Sequence, residues 1–344
     1  MSIASKTHRK RPTQADVARR AGVSQAIVSY VLNNRSAEVA DDTRLRVLEA
    51  IDELGYVPHG AARSLRTRRT MTIASIIPDI TNPFYPALER GVQHLAELHG
   101  YDLVVSNTDG LAEKEERALR GLLRGRADGA VMVPFYQHGA LIESIVASGV
   151  CLTLIATPDP ALTATGVDYV HVDTAIGARM AVDYLVMKGH QRVGMIAGIA
   201  GTPPNDDRVS GYREALIAHG LPLDETLIQA GDYQEAGGFA AMNALLDRDL
   251  RPTAIFAVND LMALGALIAI RQRGLRVPDD IAIIGFDDIP AARIAHPALT
   301  TVTQFTEALG HTAAELLVSR LAGDAPTLGR QLDHRVELIV RASA

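Results

Sequence analysis

Apolar positions keep a helical spacing from residue 13 to residue 55 and switch, from Thr72 onward, to short apolar runs alternating with helical stretches. In "TQADVARRAGVSQAIVSYVLNN" (13–34), Thr13 followed by Asp16 fits a helix N-terminus. The hydroxyl accepts from a first-turn amide, and the acid favours the positive end of the helix dipole. Val17, Ala18 and Ala21 fall on one side. Gly22 can take a positive φ and end the helix, Val23 plugs inward, and Ser24 caps a second helix running to about Asn33. There Val28, Val31 and Leu32 form the apolar stripe, while Gln25, Ala26, Ser29, Tyr30 and Asn33 lie on the other side, polar but uncharged. A third helix follows, with Asp41 and Asp42 as candidate caps, a repeat of Leu45, Leu48, Ile51 and Leu54, and a stop at Gly55. The pattern predicts a helix-turn-helix with a support helix. Its small residues let the helices pack closely, and its amide, hydroxyl and phenol groups can hydrogen-bond base edges and phosphates in a groove.

The runs "TIASIIP", "DLVVSN", "GAVMVPF", "CLTLIA", "YVHV", "RVGMIAG", "AIFAVN" and "IAIIGF" predict a doubly wound α/β body, because parallel strands covered on both faces read as near-continuous apolar stretches. Ligands of such sheets sit beyond the carboxyl ends of the strands. Polar or aromatic residues follow many of those ends: Asp79, Asn82 and Phe84, then Asn107 and Asp109, then Tyr136. Asn259 with Asp260, and Asp287 with Asp288, follow two later strands.

Composition bounds the function classes. A length of 344 residues suggests two or three domains, and 47% apolar with 22% charged residues is ordinary for a globular chain. The single Cys151 excludes an intramolecular disulfide and, with no His/Cys cluster, argues against a structural zinc site. No stretch reaches 18 uncharged apolar residues and "MSIASKTHRKR" lacks an apolar signal core, so neither a membrane span nor secretion is expected, and the cytoplasm is the expected compartment. The net charge of −6 hides an asymmetry: residues 1–70 carry 13 Lys and Arg against 7 Asp and Glu, the remainder 21 against 33. A basic head on an acidic body predicts that only the head meets a polyanion.

The stretches "DVARRAGVSQAIVSYVLN" and "VADDTRLRVLEAIDELGYVPHGAARSLRT", followed in order by "IASIIPDITNPFY", "KGHQRVGMIAG", "FAVNDLMALGAL", "IIGFDD" and "HPALTTV", resemble the LacI/GalR transcriptional regulators over nearly the whole chain. The resemblance implies an α/β protein with an N-terminal helix-turn-helix head at 11–57, a hinge helix and linker at 58–70, and a two-lobed doubly wound parallel-sheet core at 71–344 of the type-I periplasmic-binding-protein-like kind. On that pattern lobe one spans about 71–169 and 299–326, and lobe two about 170–298 and 327–344. The resemblance further implies a homodimer on a pseudo-palindromic double-stranded operator, with Thr13, Ser24, Gln25, Ala26, Ser29, Tyr30, Asn33, His59, Arg63 and Leu65 at the DNA. Pro58 can lead into the hinge helix, Ala61, Ala62 and Leu65 give it a small apolar face, and Arg63, Arg66, Arg68 and Arg69 supply charge. So short a helix needs partner and DNA for its order, and Leu65, where the family carries its leucine lever, can wedge between base steps.

Carried over residue by residue, the family's effector pocket falls on Arg208, Asn259 and Asp287 as polar contacts and on Phe84 and Tyr233 as aromatic walls, with Asn82 and Tyr136 beside them. A guanidinium fork, a carboxylate and an amide between aromatic walls suit a sugar or related polyhydroxy effector, which combines vicinal hydroxyls with an apolar face. Two positions depart from the family pattern: Ala156, where many relatives place an acid or amide, and Tyr30, where Arg or His is common. They leave the effector and the operator sequence open. Repression is the expectation, with the direction of the effector's action left open. No leucine heptad follows "VELIVRASA", which favours a dimer over a tethered tetramer. An enzyme, or a sugar-binding protein without DNA function, is the competing class. No catalytic G-x-S-x-G, P-loop, G-x-G-x-x-G or H-E-x-x-H motif occurs, neighbouring Asp287 and Asp288 should point apart, and neither cofactor nor metal is expected.

Overall fold

The computed structural model describes residues 12–32, 39–57 and 69–344, divided between two compact units that meet at Thr70 and Met71. Asn33 and the hinge positions His59, Arg63, Leu65, Arg66 and Arg68 lie outside the described residues.

In the first unit, Gln14–Ala21 forms the first helix, opened by a reciprocal capping box in which Thr13 and Asp16 satisfy each other's amides. Gly22, at φ 67°, closes it. Gln25–Leu32 and Asp41–Leu54 follow. Val17, Ala18 and Ala21 pack with Val28 and Val31 and with Val47, Ala50 and Tyr56 in one small core. The third helix differs from expectation in two ways. Leu45 and Leu48 are exposed while Val47 and Ala50 are buried, because a repeat of three drifts around a helix that turns every 3.6 residues. Asp41 and Asp42 do not cap it; Ala40 precedes the helix without a side-chain bond, and the two acids sit in the first turn, where they meet the dipole.

The second unit holds two parallel sheets of matching topology. Strands β1 (Thr72–Ile77), β2 (Asp102–Asn107), β3 (Gly129–Met132), β4 (Cys151–Ile155) and β5 (Asp168–Val172) join β11 (Gln331–His334) in the order β11-β5-β4-β3-β1-β2. Strands β6 (Val193–Ala197), β7 (Ile228–Ala230), β8 (Ala254–Ala257) and β9 (Ala282–Ile284) form the second sheet, in the order β7-β6-β8-β9. Each sheet thus reverses strand order beside its first strand, between β1 and β3 and between β6 and β8, which opens a crevice at the carboxyl ends. A short antiparallel pair, β10 (Thr301–Thr303) with β12 (Glu337–Ile339), completes the unit.

All eight apolar runs became strands; β7, β10, β11 and β12 were not anticipated, being three or four residues long and each interrupted by at least one polar residue. β2 departs from the buried pattern. As the sheet's edge strand it leaves Val104 and Val105 exposed. The expected lobe boundaries move accordingly. Val170–Val172 and Gln331–His334 pair within the six-stranded sheet, whereas Leu299 and Val302 are buried in the core of the four-stranded lobe. The chain crosses between lobes near 173, 304 and 335, and strand pairing decides those points.

One set of contacts ties a first-lobe helix to the sheet, and another joins two of the lobe's helices. Asp168, fully buried, accepts from Arg320 at 2.7 and 2.8 Å and from Arg330, fastening β5 to Thr306–Ala322 and to the approach to β11. Burial pushes its pKa up, but the bonds from Arg320 and Arg330 outweigh this and the net shift is downward. Phe84–Leu98 and Thr306–Ala322 touch backbone to backbone: a Cβ on Gly91 would lie 2.0 Å from the Glu307 carbonyl oxygen, and one on Gly310 2.1 Å from that of Leu88. Glycine-to-alanine changes inside helices ordinarily stabilise by about 1 kcal/mol. Here overpacking reverses the sign: Gly91→Ala and Gly310→Ala should each cost about 1–3 kcal/mol in urea denaturation, and unchanged or raised stability would show that the helices can separate freely.

Candidate functional site

On the head, Gln25, Ala26 and Tyr30 are exposed along one side of Gln25–Leu32, and Ser29 is half-buried beside them. The Thr13 hydroxyl is bonded to Asp16, and Ser24 Oγ accepts from the Ile27 amide at 3.4 Å, so these two side chains chiefly set the starts of the two helices. The surface of the second helix is therefore carried by an amide, a methyl, a hydroxyl and a phenol with no charge among them, suited to hydrogen-bonding base edges.

In the larger unit a cavity of about 290 Å³ opens where the two strand-order reversals face each other. Asn82, Phe84, Arg208, Tyr233, Asn259 and Asp287 all line it. Its centre is Arg208, from Pro203–Ala218, with Asp287, from the turn after β9. The Arg208 guanidinium stacks 3.8 Å from the Phe286 ring centroid, donates Nη1 to the Val258 carbonyl, and brings Nη2 to 3.7 Å from Asp287 Oδ1. Asp287 Oδ1 also accepts from Gln304 Nε2 at 2.8 Å. Burial drives the Asp287 carboxyl up to about 6 despite Arg208 and Gln304, because at 3.7 Å the ion pair is too long to repay desolvation. Asp287 has φ 110°, a conformation disfavoured for a residue with a Cβ, held by its amide donating to Val302. Asp288 turns away to pair with Arg341, so the two neighbouring carboxylates point apart, as expected.

The amide of Asn259 is engaged at both ends. Its Oδ1 caps the next helix at Met262, and its Nδ2 donates to the Tyr233 carbonyl at 2.9 Å. Tyr233 itself has φ 66°, and its hydroxyl pairs with Thr202 at 2.9 Å. The ring lies on Gly198, where an added Cβ would come within 2.3 Å of it. Asn259 thereby acts as the brace that presents Tyr233. Asn82 plays a similar part, its Oδ1 accepting from the Phe84 amide and aiming that ring.

Tyr136 is the one expected pocket residue that does not reach the cavity. It is exposed, with its hydroxyl on the Gly110 carbonyl, and Phe135 lines the space instead. The cause is Glu115, fully buried, which accepts from the amides of Phe135 and Tyr136 and meets His138 at 2.9 Å, turning the loop so that Phe135 points in. Phe135 faces Tyr233 across the cleft, with centroids 6.2 Å apart, and Asp79 accepts from Gln234 at 2.6 Å. These two contacts join the lobes directly. Phe135, Gln234, Asp207, Thr174 and Gln304 were missed by sequence reasoning. Asp207 stands beside Arg208 in "NDDR" and could have been found there, whereas Gln304 follows a three-residue strand that no periodicity reveals.

Two measurements check this geometry. Folding raises the Asp287 pKa from an ordinary 3.8 to about 6, so the folded chain holds a proton that the unfolded chain releases. The sign follows: this contribution is fully present below pH 3.8 and is lost as the pH rises through about 6. The full shift corresponds to roughly 3 kcal/mol. Asp287→Asn should therefore gain stability relative to the parent between pH 4.5 and 7.5 in denaturant titrations; the pH-independent cost to Arg208 cancels from that comparison. In calorimetric titration with an effector, Phe135→Ala should weaken binding about tenfold for the loss of an aromatic wall, while Tyr136→Phe should leave it unchanged.

Profiles of known families match both units: "Bacterial regulatory proteins, lacI family" over residues 13–59, and "Periplasmic binding protein-like domain" over 182–344. The chain is 39% identical to the HTH-type transcriptional regulator CelR of Thermobifida fusca, covering 97% of this chain and 99% of that one. A solved structure described as a CelR–cellobiose complex superposes with a TM-score of 0.73 at 36% identity, covering 97% of this chain and all of that one. The lac repressor dimer bound to operator and the anti-inducer ONPF gives a TM-score of 0.83 at 28% identity, over 97% and 99% of the two chains. With a regulator 39% identical along nearly its whole length, and with head and core each matched, this chain belongs to the lacI family of bacterial regulatory proteins.

Proposed function

We propose that the chain binds a pseudo-palindromic operator as a homodimer and that a sugar-like effector in the Arg208–Asp287 cleft controls that binding. It is a regulator of transcription, not an enzyme. The observation that carries the reading is the joining, in one chain, of a head whose second helix has an uncharged polar side and a core whose two strand-order reversals enclose a guanidinium, a carboxylate and aromatic rings. CelR, whose complex holds cellobiose, and the lac repressor, solved on its operator, combine the same two units.

Each chain carries one short head, so two are needed to cover successive half-sites with useful affinity. The exposed valines of edge strand β2 give the first lobe an unpaired apolar margin suited to a second copy. Among the described residues no helix is long and apolar enough to cross a membrane. Operator binding, as proposed, requires a cytoplasmic protein. His59, Arg63 and Leu65 serve as the hinge contacts and Gln25, Ala26, Ser29 and Tyr30 as the groove contacts, with repression as the outcome of occupancy.

The test is operator binding by the full chain with and without a panel of sugars and polyols. At least one should change operator affinity, and a panel that changes none refutes the sugar reading. Arg208→Ala should lose the response but bind operator as the effector-free parent does. Tyr30→Ala should relax preference at one position in each half-site by about 1–3 kcal/mol, measured on operator variants; equal losses on all sequences would mean that Tyr30 only touches phosphate.

A further inference from the structure

The charges around the cavity are lopsided. Among the described residues its lining carries Asp79, Asp109, Asp207, Asp232 and Asp287 against a single cation, Arg208. Asp109 pairs with Lys114 and Asp287 with Arg208, but Asp79, Asp207 and Asp232 have no ion-pair partner among the described residues. Burial raises the Asp207 pKa, Arg208 lowers it, and Asp173 pushes it up again, so the carboxylates of Asp173 and Asp207 already repel each other at this wall. Arg208 supplies a single positive charge against these carboxylates. Phe286 covers one face of its guanidinium plane, Nη1 donates to the Val258 carbonyl, Nη2 lies 3.7 Å from Asp287, and Nε is a buried donor without a partner among the described residues. A phosphate or carboxylate needs two parallel N–H groups for its strong forked contact. A hydroxyl or ring oxygen needs one. Thr174, also in the lining and buried, has an Oγ1 that is likewise without a partner among the described residues.

Resting on the reading of this cleft as the effector site, we propose that it selects an uncharged polyhydroxy ligand and rejects phosphorylated and acidic sugars. The Arg208 Nε–H and the Thr174 hydroxyl are two unpartnered polar groups it offers such a ligand, and Asp79, Asp207 and Asp232 form the electrostatic barrier to anions. Like-signed carboxylates bordering a cavity with low-dielectric walls focus their field inside it, where salt screens them less than at an open surface. Thr174 and Asp207 are thus specificity residues, one through a hydrogen bond and the other through repulsion.

The test uses the full chain and pairs of ligands that differ only in charge: cellobiose with cellobionate, and glucose with glucose 6-phosphate. Inorganic phosphate serves as a bare anion. In thermal shift and calorimetry the neutral member of a pair should bind at least about tenfold more tightly than its anionic counterpart. An anionic member that binds equally well or better overturns the inference. So does saturable stabilisation by phosphate that disappears in Arg208→Ala. Silence from every sugar refutes the sugar reading, and the phosphate arm still decides the charge question. Asp207→Asn with Asp232→Asn should narrow the gap within a pair by strengthening the anionic member; an unaltered gap overturns the assignment of the barrier. Thr174→Val should weaken the neutral ligand several-fold without lowering the ligand-free melting temperature, because its hydroxyl has no protein bond to lose. A melting temperature that falls with no change in binding would make Thr174 structural and overturn its part.

Discussion

Burying Asp287 in the turn after β9, against the segment that crosses between lobes at Gln304, is the constraint around which the core is arranged. Its backbone amide joins β9's end to the Val302 carbonyl, and its carboxylate joins Gln304 and Arg208. The same residue therefore touches a crossing segment, a second-lobe helix and the cavity. Fully buried Asp260 lies close enough that the charge of Asp287, after burial itself, helps push its pKa up, while Thr301 and the Ile289 amide hold it in place. A site that crowds carboxylates in this way is costly in the free protein. Ligand hydroxyls, which donate to one group and accept from another, can relieve that cost at the moment of binding.

Coupling needs two arrangements of the lobes and a ligand that distinguishes them. The structure supplies groups that act only when the lobes approach: Gln234 on Asp79, and Tyr233 against Phe135. Tyr233 is held in a left-handed conformation by Asn259 and Thr202, so its ring is fixed before anything enters. Precise placement of this kind converts a small displacement at the ligand into a choice between discrete packings. Linkage makes the effect reciprocal: whatever a ligand does to operator affinity, operator does to ligand affinity.

The family pattern also shows how far a residue's role can shift while its place is kept. Asn259 and Asn82 stand at the cavity, as the resemblance implied, yet each uses its amide to brace an aromatic neighbour. Ala156 lines the cavity without a polar atom, which removes one contact that many relatives can make and leaves the polar work to the opposite wall, where Arg208, Asp287 and Thr174 stand.

By itself the sequence determined the helices of the head and the eight apolar strands, because burial on both faces of a parallel sheet and capping of a helix end leave strong local patterns; the class of protein and the pocket positions, six of seven of which line the cavity, came through resemblance to the LacI/GalR regulators. Those local patterns depend on neighbours within a few residues. Tertiary structure alone decided which face of Asp41–Leu54 is buried, that β2 is an open edge, and that β11 returns to the first sheet. It alone turned Phe135 inward in place of Tyr136, through a carboxylate 20 residues earlier in the chain. Contacts between distant segments set these outcomes, and a periodicity measured along the chain carries no record of what will pack across from it.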